Sequence, residues 1–277
     1  MTTLLRKPVN QAVAPGVTMI HDVKSATSPL VYVAFKVLEF GRGSRYSEML
    51  TQQECCVVVL TGVVQVGDGD QTFSHLGTRQ TVFDQKPTDS VYIANRRRVD
   101  IESLTRARVA LCYAPSDVPR PTKWIKASDN TVERRGQDQN QRVVHNILAD
   151  SDSTASSLLV VEVFTSEGNW SSYPPHKHDQ DNLPHESQLE ETYYHEISPP
   201  QGFVVQRVYT EDLSLNETMA VQDRDMVLVP KGYHPVGVPY GYHSYYLNVM
   251  AGPHRIWRFY NDPNHAWILE RLAKQGE

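Results

Sequence analysis

Short runs that alternate apolar and polar residues, or are dense in β-branched ones, recur through the whole chain and constrain its fold more than any other feature. They span Leu30 to Leu38, Cys55 to Val66, Val91 to Ala94, Val109 to Tyr113, Leu158 to Phe164, Phe203 to Tyr209, Met226 to Val229 and Tyr245 to Met250. Turn-forming clusters such as Val66-Gly67-Asp68-Gly69-Asp70 separate them. Many short strands with few helical patterns predict an all-β sandwich or barrel. One short C-terminal helix is expected over 264–274, with Asp262 as its N-cap and Pro263 as its first residue.

A chain of 277 residues has room for one large domain or two medium ones. A polar stretch from about Pro115 to about Asn140 reads as a linker. The expected division is therefore 1–118, a linker at 119–142, and 143–277. The halves also resemble each other. Glu54 opens one strand-like run and Glu191 another. At nearly the same distance downstream, Asp89-Ser90-Val91-Tyr92-Ile93-Ala94 matches Asp225-Met226-Val227-Leu228-Val229-Pro230 in character. That register sets Arg98 opposite His234. Tandem copies are physically sensible, because each half can cover sheet edges of the other.

A net charge of −5 gives no sign of a nucleic-acid binder. The basic run Arg96-Arg97-Arg98 is short and reads as a solvated strand edge. No apolar run is long enough to span a bilayer, and Met1 to Pro8 lacks the features of a signal peptide. Cys55, Cys56 and Cys112 suit neither a zinc knuckle nor a redox motif. Reduced, buried thiols in a cytoplasmic protein are the expectation.

The chemistry concentrates in the C-terminal half. His176 and His178 stand at i and i+2, so in a strand both imidazoles share one face. Glu191 and His234 follow. Three imidazoles and a carboxylate suit zinc, manganese, iron, cobalt or nickel and leave positions open for a substrate. The polar segment from Asp179 to Gln188 is expected to loop beside this site. Within and after it, Glu186 and Glu190 are rival carboxylates. Strand alternation turns Glu190 to the face opposite Glu191.

The histidine pair, the glutamate opening a strand and the histidine after a Pro-x-Gly turn form the metal pattern of cupins. The stretches Tyr173 to Asp179, Leu189 to His195, Gly202 to Thr210, Val229 to Pro235 and Tyr245 to Pro253 resemble the 5-deoxyglucuronate isomerases of myo-inositol catabolism. That family is related to the 5-keto-4-deoxyuronate isomerases. The likeness covers nearly the whole chain, from Leu4-Leu5-Arg6-Lys7-Pro8 to Asn261-Asp262-Pro263. It implies a bicupin, two tandem jelly-roll barrels, with one divalent transition metal in the C-terminal barrel. Zinc is the first expectation. The implied ligands are His176, His178, Glu191 and His234. The twelve residues between His178 and Glu191 depart from the three or four common in cupins.

The resemblance implies interconversion of 5-deoxy-glucuronate and 2-deoxy-5-keto-gluconate. Such an aldose–ketose isomerisation needs a polarised carbonyl and a proton shuttle. Neither the base nor the choice between an enediol route and a hydride shift is fixed by the sequence. The substrate carboxylate calls for a guanidinium. Arg207, in the strand-like run Phe203 to Tyr209, is the first candidate, ahead of Lys177, Lys231, Arg255 and Arg96 to Arg98. Tyr194, Tyr246 and Lys231 are candidates for binding sugar hydroxyls. A cupin dioxygenase and a non-catalytic sugar-binding bicupin are the other readings. A homo-oligomer is compatible with all three.

Overall fold

The computed structural model describes residues 4–269. Two similar barrels follow each other, each made of a seven-stranded and a four-stranded antiparallel sheet. In the first, the large sheet runs Lys123–Ile125, Ser90–Ile93, Gln53–Thr61, Ala107–Pro115, Ala34–Phe40, Val17–Val23, Gln11–Ala14. Its small sheet runs Arg45–Met49, Arg98–Ser103, Val64–Gly67, Thr72–Leu76. The second large sheet runs Leu5–Arg6, Met226–Val229, Glu190–Ser198, His243–Ala251, Leu159–Thr165, Arg142–Leu148, Thr131–Arg135. Its small sheet holds Trp170–Ser171, Val236–Gly237, Phe203–Tyr209 and Asn216–Gln222.

Alternation explains the packing. In Gln53–Thr61, Cys55, Val57 and Val59 enter the core of the first barrel. Cys56, Val58 and Leu60 face the other way, into a cluster shared with Tyr194, Leu247 and Val249 of the second barrel. Both faces are therefore buried, and the strand reads as a continuous apolar run. Glu190–Ser198 behaves likewise: Tyr193 and Ile197 lie in the second barrel's core, while Tyr194 lies between the barrels. The three thiols are free and buried.

The strand-like runs of the sequence all carry strands, but the stretch expected to be a linker also does. Lys123–Ile125 pairs with Ser90–Ile93, and Thr131–Arg135 pairs with Arg142–Leu148. Leu5–Arg6 joins the second barrel by pairing with Met226–Val229. The chain thus crosses between barrels at both ends of the first one. The segment after Asp262 turns at Pro263 and becomes helical at 267–269. Asp262 Oδ1 accepts from Asn264 N at 2.9 Å, but 263–266 are turns, so Asp262 caps a turn ahead of the helix and Pro263 is not the helix's first residue. The rest of the expected helix lies outside the described residues. No helix among the described residues is long and apolar enough to cross a membrane.

The internal repeat needs a shift of one residue. Cys55 is paired with Ile93 and Tyr113, and Glu191 with Val229 and Met250, so Cys55 is the counterpart of Glu191. Glu54 corresponds to Glu190 instead, and the two play the same part. Glu54 accepts from the backbone N–H groups of Ser156, Ser157 and Leu158 in the second half. Glu190 accepts from those of Val31 and Tyr32 in the first. Each carboxylate pins the other barrel's incoming chain.

Candidate metal centre

His176–Lys177 is a two-residue strand held by Tyr260–Asn261. His178 follows it. Its backbone oxygen accepts from Leu189 N at 2.8 Å, and its Nδ1 contacts Leu189 O at 3.0 Å. His234 Nδ1 meets Gly232 O at 2.8 Å. A carbonyl only accepts, so both Nδ1 atoms carry the proton and each Nε2 presents its lone pair. Glu191 Oε1 accepts from Asn248 Nδ2, which leaves Oε2 turned to the histidines.

His178 Nε2 and His234 Nε2 stand 3.1 and 3.0 Å from Glu191 Oε2. Yet all three atoms are buried without a hydrogen-bond partner. They are close but not aligned as bonds to one another, as atoms directed at a common point would be. Ligand atoms of these three residues lie within 4.8 Å of each other. A buried set of this kind is costly alone and fits a divalent cation. His176 stands on the outer side. Its ring is 5.1 Å from that of His234 and 4.6 Å from Phe259.

Electrostatics follow from the same geometry. Burial works against ionising Glu191, but His234 and His178 hold its carboxyl well below the usual range. Burial opposes charging His178, and the Glu191 contact raises it nonetheless. Burial, then His234 and His178, push His176 well below the usual imidazole value.

The rival carboxylates are otherwise engaged. Glu190 faces the first barrel. Glu186 takes both oxygens to Lys177 Nζ, at 3.0 and 3.1 Å, and the long segment folds as a hairpin, Asp179–Asn182 against Glu186–Gln188. Burial would discharge Lys177, but Asp179 and Glu186 raise its pKa.

A cavity of about 40 Å³ adjoins the cage and is lined by Glu191, His176, Tyr193, Tyr246, Asn248 and Arg142, among others. An outer cleft of about 580 Å³ shares His176, Arg135, Arg142 and Trp257 with it. Of the substrate-binding candidates, Tyr246 lines the cavity and the others do not. Arg207 faces out of the barrel, because Val204, Gln206 and Val208 take the inward positions of its strand. Its Nε bonds Asn216 Oδ1 and its guanidinium lies 4.0 Å from the Tyr209 ring centroid. Lys231 is exposed on its turn. Tyr194 points between the barrels, toward Glu196. Arg255 ties down the carbonyls of Ala149, Asp152 and Leu158. Sequence reading missed Arg135 and Arg142. They sit in the polar stretch taken for a linker, and only its pairing at a sheet edge aims them at the cavity.

Two eleven-stranded barrels of cupin type, with a histidine–carboxylate cage in the second alone among the described residues, define a bicupin. The chain belongs to the KduI/IolB family, whose model matches residues 4–268. It is 64% identical over 270 residues to 5-deoxy-glucuronate isomerase of Halalkalibacterium halodurans, covering 98% of this chain and all of that protein. It is 62% identical over 271 residues to the protein of the same name from Bacillus subtilis strain 168, with the same coverage. The crystal structure of an IolB-like protein from Salmonella typhimurium LT2 superposes with a TM-score of 0.92 at 43% identity, covering 97% of this chain and 100% of that one. Oxalate decarboxylase of Lactobacillus farciminis shares the fold, with a TM-score of 0.68 at 13% identity over 98% of this chain and 91% of that one.

Proposed function

We propose that the chain is a metal-dependent aldose–ketose isomerase that converts 5-deoxy-glucuronate to 2-deoxy-5-keto-gluconate. Full-length identity to relatives named for the first of these compounds carries the reading. The site's chemistry agrees with it. His178, Glu191 and His234 would hold one divalent cation, zinc first, with His176 closing the set on the side of the cleft. A cation there would polarise the carbonyl and hold the negative charge that develops as a proton leaves the neighbouring carbon.

The chain's own groups do the rest. Asn248 fixes one Glu191 oxygen, so the other stays aimed at the cage. Burial raises the Tyr246 phenol, so at neutral pH it is a hydrogen-bond donor to a sugar oxygen. Ser172 Oγ and Tyr193 OH, 3.0 Å apart, add a second hydroxyl pair on the same wall.

The test is anaerobic turnover of 5-deoxy-glucuronate by metal-loaded protein, with the product identified by NMR and the metal counted. One equivalent per chain, lost in His176→Ala, and oxygen-independent turnover are expected. Turnover that consumes oxygen would replace the isomerase with a dioxygenase. Two equivalents retained in His176→Ala would overturn the assigned cage.

A further inference from the structure

Arg142 opens the strand Arg142–Leu148 on the face it shares with Val144, a residue of the second barrel's core. It lines both the inner cavity and the outer cleft. Arg135 lies directly opposite it on the neighbouring strand. Two cations therefore meet across one ladder, an arrangement that costs stability unless something between them is negative.

Arg135 has a partial remedy in Glu133 Oε2 at 2.7 Å. Arg142 has none. Its recorded bonds run from Nη1 to the backbone oxygen of Asn140 at 2.9 Å and to that residue's Oδ1 at 3.1 Å, both neutral acceptors. Among the described residues no carboxylate lies within ion-pair distance of it. Burial lowers its pKa, Tyr246 opposes, and Arg135 lowers it further. A guanidinium stays charged even so, with its Nε–Nη2 edge unengaged. Trp257 stands at the same wall, 5.6 Å from the Arg135 guanidinium, with its buried Nε1 unpartnered.

We propose that the Arg142–Arg135 pair binds the carboxylate of the sugar-acid substrate, with Arg142 making the two-pronged contact. The inference deepens the isomerase reading and rests on it for the substrate's identity. An incoming carboxylate relieves the repulsion of the pair, and the indole N–H of Trp257 offers a third donor to an oxygen-rich ligand. The outer cleft is of the size that small-molecule sites have. Because the inner cavity joins Arg142 to Glu191 and His176, one end of the substrate is held by charge while the other reaches the cage.

The experiment compares native protein with Arg142→Gln, Arg142→Lys and Arg135→Gln, using 5-deoxy-glucuronate and its uronamide, which lacks the charge. For Arg142→Gln we expect KM for the acid to rise about 10- to 150-fold, the range for a lost charged hydrogen bond. The uronamide should be a poor substrate for native protein and nearly indifferent to that substitution. Arg142→Lys should recover only part of the loss, because an ammonium lacks the fork. Arg135→Gln should show the smaller effect, and metal content should be native throughout. An equal loss on acid and amide would overturn the proposal and make Arg142 structural.

A second measurement does not need turnover. Calorimetry with D-glucuronate should detect binding to native protein that Arg142→Gln loses. If native protein binds D-glucuronate in this way but does not turn over 5-deoxy-glucuronate, the isomerase reading fails and the carboxylate site stands. If D-glucuronate binds equally to native and variant, or to neither, the proposal falls.

Discussion

Glu190 and Glu191 are adjacent, both buried, and should fail in opposite ways. Glu191 belongs to the cage, so Glu191→Gln should weaken metal retention by more than the roughly 10- to 100-fold typical of groups behind the ligands. Glu190 belongs to the barrel interface. Its carboxylate accepts from Val31 N at 2.7 Å and Tyr32 N at 2.6 Å. Glu190→Ala leaves two backbone donors without their acceptor, which costs about 1–3 kcal/mol each. Val31 is exposed, so water can partly replace the carboxylate, and a total of about 2–3 kcal/mol is the expectation. For a chain of this size that lowers Tm by about 4–12 °C. The assay pairs elemental analysis after desalting with thermal unfolding of the same samples. Glu191→Gln should be metal-poor, and Glu190→Ala metal-replete and less stable. Metal loss in Glu190→Ala with retention in Glu191→Gln would refute the strand register. A larger loss from Glu186→Gln would refute the assignment of the carboxylate.

Asn248→Ala should keep the fold and lower metal affinity by about 10- to 100-fold, because Glu191 loses its orienting donor; unchanged affinity by competition with a chelator would remove Asn248 from the site. Arg79 and Glu162 form a fully buried ion pair between the barrels, and burial opposes but Arg79 wins in holding the Glu162 carboxyl at about 2. Arg79→Met should therefore cost about 3–5 kcal/mol in denaturant unfolding, with much of it recovered in Arg79→Met/Glu162→Leu; a loss below about 1 kcal/mol would contradict a dry pair. His195, buried against Gln206, has its pKa lowered by burial to about 4. Between pH 6.5 and 4 the unfolded chain takes up a proton that the folded one refuses, so stability falls as pH drops, by about 3 kcal/mol from this group, and is unaffected above pH 6.5. His195→Gln should lack that part of the slope, and identical slopes would show the imidazole to be accessible.

The sequence by itself determined the β class and the strands with a buried face, and it pointed to His178, Glu191 and His234, which the structure brings together. Period-2 patterning survives wherever a strand has a buried face, so Phe203–Tyr209 and Met226–Val229 were legible to the residue. Candidate metal-ligating side chains are a small chemical alphabet, and an i, i+2 histidine pair needs only local geometry to be noticed; of the two, His178 joins Glu191 and His234 while His176 stands to the outer side. Strands whose partners lie far off were less legible. Thr131–Arg135 is a polar sheet edge, and nothing in its composition separates it from a loop until Arg142–Leu148 pairs with it. The same pairing turns Arg135 and Arg142 toward the cavity, whereas the inward demands of Val204, Gln206 and Val208 turn Arg207 away. The long segment after His178 looked like a gap in the motif and is a hairpin closed by Lys177 and Glu186. A one-residue slip in the internal repeat hid the likeness of Glu54 to Glu190, because adjacent carboxylates are equivalent on paper and lie on opposite faces in a sheet. Which face a side chain takes, and what charge it finds there, depends on partners distant in the chain, and only the tertiary structure decides it.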